Sequence, residues 1–168
     1  MTPPASAIVE FIQAVTDTPW PSAEDQFHSY FERLGCELTT GDDNSGHLPG
    51  LTGGAFVTHR LTTQHPSWTA LDGSLFSLNF FAHEGDADAV NAGYDGVRAG
   101  LIGLYGQPFD EPPAHRGNRA AAWLAGDTEI ELYAHVSLAP ALQIGLGHKE
   151  RNAAYEDRLA QDADGPRA

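Results

Sequence analysis

The sequence predicts a single α+β domain, a mainly antiparallel sheet of about five to six strands packed against a central helix. Three observations carry that prediction. Apolar spacing switches from a helical period to a period of two at Ala55, returns to helical over 90–105, and switches again near Ala121. The turn segments Asp72-Gly73 and Ala125-Gly126-Asp127 join consecutive period-two runs, as antiparallel neighbours require. The length, 168 residues, suits one domain with a core of its own. The expected order is α-α-β-β-β-α-β-β-β-α, with the domain over 1–160 and a flexible acidic tail at 161–168.

Ile8, Phe11, Ile12 and Val15 stand at i, i+3, i+4 and i+7, the stripe of a short helix with Ser6 as N-cap. Thr18-Pro19-Trp20-Pro21 breaks it, since proline removes a donor and restricts the residue before it. Ser22 and Asp25 form a capping-box-like pair ahead of a second helix with the apolar face Phe27, Tyr30, Phe31 and Leu34. Gly35 is its C′ residue. Cys36 to Thr40 reads as a short strand, and 41–54 as a long turn-rich loop. From Ala55, Val57, His59 and Leu61 point one way and Phe56, Thr58 and Arg60 the other. Trp68 to Leu71 and Leu75 to His83 form a hairpin about Asp72-Gly73. On its second arm Phe76, Leu78, Phe80 and Ala82 face the core; Ser77, Asn79, Phe81 and His83 face away.

Asp86 caps the central helix, whose stripe is Val90, Tyr94, Val97, Leu101, Leu104 and Tyr105, and Gly106 and Pro108 end it. Gly93, Gly96, Gly100 and Gly103 each cost about 1 kcal/mol relative to alanine there, which close approach to the sheet would justify. A loop over 107–119 leads to a strand at Ala121 to Leu124. The next strand alternates Ile130, Leu132, Ala134 and Val136 inward with Glu129, Glu131, Tyr133 and His135 outward. A last strand over Leu142 to Leu146 precedes a polar helix containing Ala154, Tyr155 and Leu159. SLFSLNFFAH (74–83) and GDTEIELYAH (126–135) both end in aromatic-Ala-His, a short match consistent with structural duplication.

Nine basic and 23 acidic side chains give a net charge of −14, and protonating all eight histidines would still leave −14 + 8 = −6. Nucleic acid and anionic membrane are therefore not expected partners, because both need clustered Lys and Arg. A basic protein surface is favoured instead, since a negative field speeds its approach. The single Cys36 forms no internal disulfide and points to a reduced, cytoplasmic setting. No run of 18 apolar residues offers a membrane span.

Catalytic and metal motifs are missing from the pattern. His59, His65, His83, His115, His135 and His148 show no HxH, HxxxH or HExxH spacing. Asp42-Asp43-Asn44-Ser45-Gly46 opens like a calcium loop, but the closing acid would fall on Gly53. Gly145-Leu-Gly147-His148 is too short for a dinucleotide fingerprint. Cys36 has no base beside it and reads as a buried structural thiol. No cofactor, metal or catalytic residue is expected. What remains is the outward face of the strands: Glu129, Glu131, Tyr133 and His135 with Phe81 and His83, acids and aromatics suited to contacting a protein. If the N-terminal helices folded over that face, they would bury Phe81 and Tyr133 instead.

Trp68…Leu71-Asp72-Gly73…Leu78, Leu104-Tyr105-Gly106-Gln107-Pro108 and Trp123-Leu-Ala-Gly-Asp127…Glu131-Leu132, over about 68–132, resemble the small acidic immunity proteins that neutralise bacterial polymorphic toxins. The element order is also similar to that of small acidic secretion chaperones, although the extra N-terminal helix and the glycine-rich central helix depart from their pattern. The first resemblance implies a non-catalytic inhibitor that occludes a cognate toxin's active site, the second a chaperone or adaptor for an exported protein. The partner is accordingly a toxin or an exported substrate, bound by a monomer or homodimer. A third reading is a small ligand- or metal-binding domain using His83 and His135, with the 41–54 loop as a lid.

Overall fold

A computed structural model describes residues 3–39, 48–137 and 139–163, without the side chains of residues 83, 84 and 163. The fold is α+β. Helix α1 (Ala5–Thr16) and, after a 3-10 turn at Glu24–Gln26, helix α2 (Phe27–Arg33) lead into strands β1 (Cys36–Leu38), β2 (Leu51–Thr58), β3 (Gln64–Leu71) and β4 (Ser74–Glu84). Helix α3 (Ala87–Tyr105), strands β5 (Arg119–Ala125), β6 (Thr128–His135) and β7 (Ala141–His148), and helix α4 (Lys149–Ala163) follow. The strands form one antiparallel sheet in the order β1-β2-β3-β4-β7-β6-β5, with more strands than expected.

Four strands precede α3, one at each of the four segments that read as strands, where the expected order counts three. The loop expected over 41–54 ends early, because β2 begins at Leu51. Gly53 and Gly54 lie within it as extended residues rather than a turn. A Cβ on Gly54 would stand 2.9 Å from the Trp68 indole on β3, so this glycine makes room for an aromatic. Phe56 and Thr58 point inward and Val57 outward; β2 stops at Thr58, so Leu61 is buried from a loop. The calcium-like segment 42–46 lies outside the described residues.

Helices α1, α2 and α3 cover one face of the sheet. The α1 stripe is buried as expected, and Phe11 meets Phe80 of β4 edge-on at 5.5 Å. Ser6 is not the cap: α1 starts at Ala5 behind Pro4, whose carbonyl accepts from Ala7 N and Ile8 N. Nor do Ser22 and Asp25 cap α2. The 3-10 turn brings Gln26 round instead, and its Oε1 accepts from Ser22 N at 2.9 Å. Gly35 does take the left-handed conformation, at φ +69°. Trp20, buried between the two helices, donates to Thr128 Oγ1 at 2.8 Å and fixes the Pro-flanked break to β6.

In α3, Asp86 caps the start by accepting from Ala89 N at 2.7 Å. Gly96 and Gly100 do not face the sheet as expected. A Cβ at Gly96 would lie 2.9 Å from Ala5 Cβ, and one at Gly100 2.7 Å from Val9 Cγ2, so the close approach is to α1. Among the described helices, the opposite face of the sheet carries α4 alone, over one end. Tyr155 packs on Phe76 with ring centroids 5.0 Å apart, and the Arg151 guanidinium donates to the carbonyls of Pro21 and Leu75, each at 2.7 Å. Phe76 therefore faces outward, against expectation. A bulge sets Ser77 opposite Thr69 but Leu75 opposite Ala70, so Leu75 takes the core position.

Candidate functional site

Strand β7 lies between β4 and β6, and its register brings their outward residues into rows. Ser77 and Glu129 flank Gly147, Asn79 and Glu131 flank Gly145, and Phe81 and Tyr133 flank Gln143. The two segments that end alike in sequence are therefore the two neighbours of one central strand. The N-terminal helices occupy the other face, and Phe81 and Tyr133 stay half-buried on the outer one. His135 stacks on Tyr133, with centroids 6.0 Å apart, and its Nε2 lies 2.8 Å from Gln143 Oε1. A second register shift in β4 places the backbone of His83 opposite Leu142, out of step with the Phe81 row. The His83 side chain is outside the described residues. Four of the six predicted positions, Glu129, Glu131, Tyr133 and Phe81, thus meet around β7, with His135 at the margin.

Because Gly145 and Gly147 carry no side chains, the face is hollowed along β7. The trough has a volume of about 270 Å³, with Ser77 and Asn79 on one wall, Glu129 and Glu131 on the other, and Asn152, Tyr155 and Glu156 of α4 at its end. A smaller hollow of about 90 Å³ lies on the far side of the two glutamates, between Tyr133 and Phe109. Phe109 is 62% exposed, yet it is fixed: Phe109 N donates to Ala122 O, and Ala122 N donates to Asp110 O. Sequence reasoning placed this residue in a plain loop and passed over it. The glycine pair drew attention only as a failed nucleotide motif, although Gly-x-Gly on a period-two strand strips two adjacent places on one face.

The face is predominantly negative, with Lys149 acting on Glu129 as a partly opposing charge. Among the described residues, no ion pair includes Glu129 or Glu131. Arg98, Arg119 and Arg158 are engaged elsewhere, by Glu111, Asp95 and Asp72. Burial and then the charge of Glu131 raise the Glu129 carboxyl above its ordinary range. Burial and the same neighbour push the Tyr133 phenol up to about 12. Cys36 is buried, its thiol pushed up to about 11 chiefly by desolvation, so it stays protonated near neutral pH. Among the described residues no three His, Cys, Asp or Glu side chains converge as metal ligands, and no helix is long and apolar enough to cross a membrane.

The raised Glu129 carboxyl has a measurable consequence. Its protonated form is favoured in the folded state, so ionisation lowers stability as pH rises from the unfolded carboxylate range, about pH 4, through the folded value. Glu129→Gln is therefore expected to raise the melting temperature at pH 7, with the gain vanishing near pH 3, where both states are protonated. A gain independent of pH would show that the charge is not its origin.

No protein-family model matches the chain, and no curated protein matches it. Among solved structures, the crystal structure of a DUF4309 family protein, YjgB, from Bacillus subtilis is similar with a TM-score of 0.43 and 14% identity, over 87% of this chain and 98% of that one.

Proposed function

We propose that this chain is a non-catalytic, cytoplasmic protein-binding protein, and most concretely an immunity protein that inhibits a cognate toxin by occluding its active site. The observation that carries the reading is the outer sheet face: two half-buried carboxylates that no ion pair among the described residues includes, set between aromatic side chains and left uncovered by three of the four described helices. Holding like charges together costs stability, and a basic partner repays that cost on binding by neutralising them. Tyr133, Phe81 and Phe109 supply rigid contact area around the charges. The net charge of −14 steers such a partner toward the chain from a distance.

The test is reconstitution. The tagged chain is used to capture a partner at low salt, the partner is purified in its folded form, and its activity is assayed with and without the chain. The reading expects a folded basic enzyme domain that loses activity at a one-to-one ratio. A partner bound only as an extended, unfolded segment would replace it with the chaperone reading, and an active enzyme within the complex would sink inhibition by occlusion.

A further inference from the structure

We propose that the trough over Gly145 is the seat of one arginine side chain from the basic partner, an inference that rests on the protein-binding reading of this face. Two acceptors converge there from opposite walls. The point where a Cβ of residue 145 would stand is 3.0 Å from Glu131 Oε2 and 3.3 Å from Asn79 Oδ1. The Asn79 amide is oriented, because its Nδ2 donates to Ser77 Oγ at 3.0 Å, which leaves the oxygen toward the trough. Glu129 stands one row along on the same wall as Glu131. Over Gly145 the space thus presents two acceptors from facing walls across a floor of bare backbone, with the Asn152 amide farther along, over Gly147.

An anion is repelled there, and an apolar side chain would strip water from the acceptors without replacing their hydrogen bonds. A cation with several coplanar donors satisfies both walls at once. Guanidinium fits better than ammonium, because its planar fork engages a carboxylate in two parallel bonds and has donors left for the amide oxygen. Tyr155, whose ring packs on Phe76, closes the end of the trough. A free cation is less suited than a tethered one, since the trough is open to solvent and supplies little enclosure.

The experiment is a titration of the isotope-labelled chain with N-acetyl-arginine amide, read by amide chemical shifts, with N-acetyl-lysine amide and sodium chloride as comparisons. Saturable shifts are expected in the millimolar range at Gly145, Gly147 and the Asn79 side-chain amide, at least tenfold weaker for the lysine probe. They should be lost in Gly145→Leu, whose backbone lies outside the left-handed region and whose two nearest neighbours are side-chain ends. Should that variant misfold, Glu131→Gln keeps the shape and removes the charge, and is expected to weaken binding at least tenfold. Shifts scattered over all carboxylates, equal response to both probes, or no response would overturn the assignment, and saturation at micromolar probe would make a free guanidinium compound the ligand instead. A protein partner that binds Gly145→Leu as tightly as the parent chain would remove the arginine seat while leaving the face as the binding surface. Loss of that partner on altering the opposite face alone would remove both.

Discussion

Replacing Gly100 by leucine is expected to lower the melting temperature by roughly 5–10 °C, whereas Gly103→Ala should raise it by roughly 2–4 °C. Both positions lie in α3, and helix propensity alone says that each loses glycine's penalty of about 1 kcal/mol. The difference is what lies opposite. At Gly103 nothing stands within 4 Å of a Cβ, so only the propensity gain remains. At Gly100 a Cβ would stand 2.7 Å from Val9 Cγ2 and 3.3 Å from its Cγ1. Valine has essentially one rotamer in a helix and cannot swing aside. Nor can α1 move away easily, since Ile8, Phe11, Ile12 and Val15 are buried and Thr16 Oγ1 meets the Tyr105 hydroxyl at 2.9 Å. Overpacking at such a contact costs about 1–3 kcal/mol. Thermal melts of the two variants check the pair; a rise for both would mean that α1 does not rest on α3.

That contrast shows where the sequence is legible and where it is not. Periodicity and turn chemistry are local, so the buried stripe of α1, the Asp86 cap, the Asp72-Gly73 turn and the alternation of Glu129 to His135 follow from a few neighbouring residues. A missing side chain carries no such signal. Gly54 faces Trp68, Gly100 faces Val9 and Gly145 lies between Glu131 and Asn79, and in each case the neighbour comes from a distant part of the chain. Bulges are equally silent. One extra residue in β4 turns Phe76 from the core to Tyr155, although the pattern around it alternates without interruption. For the candidate site, this means that the outward set on β6 was readable, whereas its meeting with Asn79 and Phe81 depends on β7 lying between the two strands.

Reversing two charges on that face, Glu129→Lys with Glu131→Lys, is expected to weaken the partner complex about 100-fold at low salt and to flatten its salt dependence. Each carboxylate is placed to accept a charge-assisted hydrogen bond, which contributes about 1.5–3 kcal/mol. Losing two of these and adding repulsion exceeds the roughly 2.8 kcal/mol that a 100-fold change requires. The change also moves the net charge from −14 to −14 + 4 = −10, which by itself slows association with a basic protein. Glu10→Lys with Glu32→Lys separates the two effects. Both residues are exposed, on α1 and α2, on the other side of the sheet, and the net charge again becomes −10. If the outer face makes the contact, the first pair should raise the dissociation rate and the second pair should change only the association rate, by a few-fold. Equal losses in both would mean that the partner senses the whole field of the chain rather than these two carboxylates. A loss confined to the Glu10 and Glu32 variant would move the interface to the helical face, and with it the reason for a bare glycine floor on β7.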